Sequence, residues 1–193
     1  MTCSSVTSYP DALDALHERV APGRLVSSPT GHVLASAARL PGLPHSSLSM
    51  LGLGVAHAGP ESAFGAGAAA DRFAVGLLDL HRDLLRQTLR QVMSHLAART
   101  SGGSTLLAKQ LIQGELADIA MRLAEDEAMP AVSRAVSRLA RWEAHRQFII
   151  LGRRLLRLLG ASGFLMDGPA ASLHLAEVTG SVYLHPAAEE PGD

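Results

Sequence analysis

From Asp71 onward, apolar residues return at steps of three and four. Phe73, Leu77, Leu80, Leu84, Leu85, Leu89, Val92 and Leu96 form one stripe, which predicts a long amphipathic helix. The small polar run Ser101–Ser104 interrupts it, and Ser104 or Thr105 is suited to cap a second helix. That helix carries Leu107, Leu111, Leu116, Ile119 and Leu123, then fades in an acidic stretch over 124–128. Pro130 fits the first turn of a third helix, which runs to about Leu159 and stops at the glycines of "GASG". A fourth, shorter helix begins near Pro169 and covers "AASLHLAEV". Short connections between such stripes predict an all-α antiparallel bundle of four main helices.

The first 68 residues carry a different pattern. Leu13, Leu16 and Val20 predict a short helix over 11–20, and "RLVSSPTGHVLAS" reads as a hairpin turning at Pro29-Thr30-Gly31. Residues 41–70 are rich in Pro, Gly, Ser and Ala and read as loop. The chain therefore divides into a short irregular N-terminal region over 1–68, a helical bundle over 69–185 and a loose polar tail over 186–193.

Composition narrows the partners. The 193 residues include 47% hydrophobic ones but only 4% aromatics, so the core is built from Leu, Ala, Val, Ile and Met. A net charge of -1 gives no argument for nucleic acid or an anionic membrane. Cys3 is the single cysteine and can form neither an internal disulfide nor a zinc site. The first twenty residues lack the basic-then-apolar order of a secretory signal, and "FIILGRRLLRLLG" is too short and too charged to span a bilayer. A cytoplasmic protein is the expectation.

Two separated motifs carry a resemblance. The run from Arg99 through Gly103 and Gln110 to Leu116-Ala117-Asp118 is similar to a corner of the C-terminal helical domain of acyl-CoA dehydrogenases. There a helix ends in Arg, followed by two residues, Phe, Gly, a turn, and a helix bearing Gln and Leu-Ala-Asp/Glu. Residues 159–173 resemble the family's Gly-Gly-x-Gly-aromatic turn and its Pro-x-x-x-Leu. Asp71-Arg72 resembles the acidic-Arg pair opening the family's first C-terminal helix, although the spacing to Arg99 is about two residues longer than usual. The resemblance covers residues 71–184 and implies a C-terminal third standing alone, truncated and divergent.

It also implies a chemistry. In the family, the arginine at the place of Arg99 reaches the FAD pyrophosphate bound largely by a neighbouring subunit. A guanidinium suits that task because its fixed fork of donors matches phosphate oxygens. Ser101, Gly103, Gln110, Arg157 and Gly160 are the further cofactor-binding positions that the resemblance implies. It implies as partners a second copy or a full-length acyl-CoA dehydrogenase-like subunit, with acyl-CoA or an acyl carrier protein as ligand.

Departures from the family pattern cut against the family's own reaction. Its Arg-Asp pair falls on Leu175 and Ala176, and its catalytic glutamate falls on Leu184, after Tyr183. The Gly and Thr after that glutamate are His185 and Pro186, and the aromatic of the arginine turn is Gly102. Arg157 stands for a Gln, and Ala161 for the second glycine. Some members carry the base just before the first helix's arginine, where Asp71 stands; Asp71 equally suits a helix cap. A gapped alignment would bring Glu177 to the glutamate, although a helix-surface carboxylate is the plainer reading.

Other features stay open at this level. His174 and Glu177 sit three apart on a helix, without the further ligands a metal site needs. Arg134, Arg138, Arg141, His145 and Arg146, then Arg153, Arg154 and Arg157, populate the third helix. They read either as a solvated face paired with Glu125–Glu127 or as a surface for an anionic partner. Trp142 suits core or interface, and His57, His81 and His95 match no nucleophile arrangement. Three functions follow: an oxidoreductase component sharing FAD with a partner, a flavin-free acid/base or accessory protein, and a purely structural partner.

Overall fold

The computed structural model describes residues 8–40, 47–57, 67–128, 137–165 and 168–186. In chain order these form α1 (Tyr9–Val20), β1 (His32–Ser36), α2 (Ser47–Met50), β2 (Leu53–His57), α3 (Ala68–Ala98), β3 (Thr100–Ser101) and β4 (Ser104–Thr105). A 3-10 turn (Leu106–Ala108), α4 (Gln110–Ala128), α5 (Arg138–Leu159), a second 3-10 turn (Gly160–Phe164) and α6 (Pro169–Tyr183) complete the chain. The expected all-α bundle is present, with α3, α4, α5 and α6 as its main helices. Among the described residues, no helix is long and apolar enough to cross a membrane. Pro130, Arg134, Cys3 and nearly all of the expected loose tail lie outside the described residues.

The inward stripes follow the sequence closely. Phe73, Leu77, Leu85, Val92 and Leu96 of α3 are buried, as are Phe148, Leu151, Leu155 and Leu159 of α5. Ser137 caps α5, its hydroxyl accepting from the Ala140 N–H, and Ser8 caps α1 in the same way through Asp11. Leu111 departs from expectation. Its spacing puts it on the second helix's apolar stripe, but it is 90% exposed, because α4 begins only at Gln110 and its first turn faces outward.

The N-terminal hairpin has a different partner from the one predicted. The turn before Gly31 forms, with the Gly31 N–H donating to Ser28 and φ at +77°, yet residues 24–28 are not a strand. β1 instead pairs antiparallel with β2, His32 opposite His57 and Ser36 opposite Leu53, inside the stretch expected to be loop. Gly54 explains part of that stretch's glycine content: a Cβ there would lie 1.9 Å from the Leu40 carbonyl oxygen.

Residues 26–28 act as a buried strap between α1 and the bundle. Val26 donates its N–H to His17 Nδ1 (3.0 Å), while His17 Nε2 donates to the Leu34 carbonyl (2.8 Å). Tyr183 at the end of α6 closes the seam, its hydroxyl accepting from the Leu34 N–H (2.9 Å) and donating to the Val26 carbonyl (3.1 Å). Tyr9, Leu13, Leu16, Val26, Leu34 and Leu53 thereby share one core with Phe73 and Leu77. Tyr183→Phe strands a buried N–H and a buried carbonyl together. It is expected to cost about 1–3 kcal/mol, read from urea unfolding midpoints.

Ion pairs knit the helices in a pattern the sequence did not reveal. Among the described residues, the acidic run at the end of α4 is bound by α3: Arg82 donates to Asp126 (2.7 Å), and Arg86 pairs with Glu127. α5 reaches α4 elsewhere, through Arg154 to Glu115 (2.6 and 2.8 Å) and Asp118 (2.6 Å). Hydrogen bonds from the Arg154 guanidinium hold the Glu115 carboxyl below its usual range.

Candidate functional site

Arg99 ends α3 with an extended backbone (φ -107°, ψ 136°), and the chain turns back at once. Thr100 pairs with Thr105 and Ser101 with Ser104, so Gly102 and Gly103 are a two-residue hairpin loop. Both have positive φ, +58° and +78°, which is the demand of a type I′ turn and the reason two glycines stand together. Gly102 therefore fills the family's aromatic position for a backbone reason. The Arg99 carbonyl accepts from the Leu106 N–H (2.7 Å) and locks the corner.

Thr105 caps the 3-10 turn, accepting from the Ala108 N–H, rather than capping α4 as predicted. α4 then starts at Gln110, exposed, with the first-turn N–H groups that any helix leaves free. The Lys109 ammonium lies 3.8 Å from where a Gly102 Cβ would sit. Arg99 is exposed, donating only to His95 Nε2 (3.3 Å), and neither Arg99 nor Lys109 meets a carboxylate among the described residues.

The second motif comes to the same end of the bundle. Gly160, with φ +59°, stops α5, and its N–H returns to Arg157 and Leu156. Ser162 in the following turn donates to the Leu159 carbonyl (2.6 Å) and lies 3.4 Å from His95 Nε2. His95 thus links the Arg99 corner to the Gly160 turn. Its single Nε2 position can serve Arg99 as acceptor or Ser162 as donor, one at a time. Arg157 is exposed and lines a cavity between α5 and α6.

Asp71 and Leu184, the two positions at which the sequence resemblance would put a base, line one small space of about 30 Å³. Ser27, Arg138, Arg141 and Tyr183 share it. Asp71 does not cap α3; Gly67 holds that position, and Asp71 lies within the first turn. Its carboxylate accepts from Arg141 Nη2 (2.8 Å), a guanidinium that is only 4% exposed. Such a volume admits a water rather than a thioester. The Ser27 hydroxyl beside it is buried without a hydrogen-bond partner among the described residues.

The larger cavity, about 720 Å³, opens between α5, α6 and the second 3-10 turn. His81 and His145 stand on its inner wall, and Arg153, Arg157, His174 and Glu177 also line it. His81 Nε2 shares a hydrogen bond with the Tyr9 hydroxyl (2.8 Å), which in turn bonds the Thr179 hydroxyl, and Thr179 donates to the Leu175 carbonyl (2.9 Å). Burial drives His81 well below its usual range. His145 is pushed down to about 4 by burial, against the opposing pull of Glu177, and among the described residues neither ring nitrogen has a partner of good hydrogen-bond geometry.

These two histidines were missed as a pair. Arg141 and His145 were read with the solvated arginine face, yet both are buried, while Arg138 and Arg146 are exposed. The available signal was register: 141, 145 and 148 continue the inward positions of α5. Glu177 is half-buried at the cavity, accepting from Arg153 (2.7 Å), whereas His174 is exposed. Trp142 is half-buried against His145 and His185. Among the described residues, no group of three or more His, Cys, Asp or Glu could hold a metal.

No family model matches the chain. No curated protein matches it either. A solved structure does: a chain of a variant of the Tcur3481-Tcur3483 steroid acyl-CoA dehydrogenase, at 18% identity and a TM-score of 0.50. The match covers 68% of this chain and 39% of that one, so this chain accounts for less than half of its neighbour's length. At that identity the likeness speaks of architecture alone, and the architecture is that of an acyl-CoA dehydrogenase-like helical bundle.

Proposed function

We propose that the chain is a subunit of an acyl-CoA dehydrogenase-type oxidoreductase and lends the Arg99 corner to a FAD held mainly by a second subunit. The observation that carries this is a cationic corner left uncommitted: Arg99 and Lys109 without carboxylate partners, a Gly102-Gly103 turn, and the start of α4 at Gln110. Such a corner fits a diphosphate, which takes charge from guanidinium and ammonium and hydrogen bonds from helix N–H groups. FAD, when bound, supplies the hydride acceptor. This chain's own residues hold its phosphates, with Ser101 and Gly103 letting the backbone approach and Gln110 at the helix start.

The second subunit is either another copy or a longer acyl-CoA dehydrogenase-like chain, and the substrate an acyl thioester on CoA or a carrier protein. A flavin-free acid/base role would run through Asp71. Its pairing with buried Arg141 and the small space around it weigh against a substrate there. The test is flavin retention by the assembly co-expressed with a longer relative. Arg99→Ala is expected to weaken FAD binding about 10- to 100-fold, the range for a charged hydrogen-bonded contact, with Arg99→Lys recovering part of it. Unchanged retention in Arg99→Ala would refute the assignment.

A further inference from the structure

We propose that the cavity between α5 and α6 is a binding site for a free aliphatic carboxylate, with the alkyl tail inside and the carboxylate on Arg157. The cavity's size, about 720 Å³, lies within the range of small-molecule sites. Its walls are mostly hydrocarbon: Leu85, Phe148, Leu156 and Leu173 line it, with Phe164 at the second 3-10 turn. Phe164 is 68% exposed, and an aromatic of that size left in water is a contact surface awaiting a cover.

The shape follows from α5. His145 and Arg157 both line the cavity and stand twelve residues apart on that helix, which sets roughly 18 Å between the histidine end and the arginine end. A long, narrow, apolar ligand suits such a trough better than a compact one. Among the described residues no carboxylate is hydrogen-bonded or ion-paired to Arg157, whose charge only helps to hold the Glu115 carboxyl on α4 low, whereas Arg153 is held by Glu177 at 2.7 Å. One guanidinium whose donors are not taken by a described carboxylate, at one end of an apolar trough, matches one carboxylate held in a bidentate grip. A diphosphate-bearing thioester would ask for more cations than this rim leaves free. The site shares Arg157 with the cofactor-binding positions that the resemblance implies, but the proposal does not rest on the flavin reading.

The experiment is isothermal titration of the purified chain with decanoate, decanol and decanoyl-CoA. Decanoate is expected to bind, and Arg157→Ala to weaken it about tenfold while leaving decanol unchanged, since the alcohol keeps the tail and lacks the charge. Ala170→Trp, which fills the trough, is expected to abolish both. Should that variant lose its helical circular dichroism, Arg157→Ala decides alone, being a change at an exposed side chain. The proposal is overturned if decanoate does not bind, if Arg157→Ala leaves its affinity unchanged, or if decanoyl-CoA binds more than tenfold tighter than decanoate. The last result would assign the trough to a thioester. Flavin retention is read through Arg99 in the assembly, so either idea can fail without the other.

Discussion

Taking the protein from neutral pH to about pH 4 is expected to unfold it, through histidines buried in the neutral form. His17 and His145 are both pushed down to about 4 by burial, and His81 is driven well below its usual range. In the unfolded chain each titrates near 6.5. Between those values the unfolded chain takes up protons that the folded chain refuses, so stability is complete above about pH 6.5 and drains away as pH falls. For each histidine the slope is about 1.4 kcal/mol per pH unit, and the loss approaches about 3 kcal/mol by pH 4 for His17 and for His145. Against a domain stability of about 5–15 kcal/mol, two or three such losses are decisive. Urea unfolding followed at pH 7, 6, 5 and 4 measures the slope. His17→Gln and His145→Gln should each flatten it; an unaltered slope in both would show that other groups drive acid unfolding.

Gly180→Ala is expected to destabilise the protein, although alanine is the better helix former. Gly180 sits buried in α6 with the His145 imidazole pressed against it: an added Cβ would lie 2.1 Å from Cε1 and 2.3 Å from Nδ1. No real Cβ tolerates such contacts, and the ring is confined between His81 and Trp142, with centroids 5.6 Å away on either side. Overpacking of this kind costs about 1–3 kcal/mol or more, and it outweighs the roughly 1 kcal/mol that Gly→Ala gains in a helix. Removing the ring reverses the balance. In a His145→Ala background, Gly180→Ala should become stabilising, and a double-mutant cycle reads that change of sign directly. A cost unchanged in that background would mean that something other than the imidazole demands glycine.

The four main helices were legible because each keeps one apolar stripe long enough to fix its period, as in Phe73 to Leu96. The Arg99 corner was legible for a related reason: its residues are neighbours in sequence, and a Gly-Gly pair between two helical patterns announces a tight reversal. β2 was hidden, since Leu53–His57 is short and lies among glycines, one of which answers to the Leu40 carbonyl rather than to a loop. Arg141 and His145 were misplaced because polar residue types count as surface, and only the packed structure shows that an ion pair to Asp71 and a glycine on α6 make room for them. Arg82 and Arg86 found the acidic end of α4 across more than forty residues, a pairing no local pattern specifies. The cavity was unreadable for the same reason, being framed by α3, α5 and α6 together.

On the proposed function, this chain completes a flavin site rather than building one alone. The visible spectrum of the protein, purified by itself and after co-expression with a longer acyl-CoA dehydrogenase-like relative, tests it most directly. Flavin bands near stoichiometry in the co-expressed assembly, lost on Arg99→Ala, are the expected result. Colourless protein in both preparations would contradict the claim and leave the Arg99 corner a structural turn.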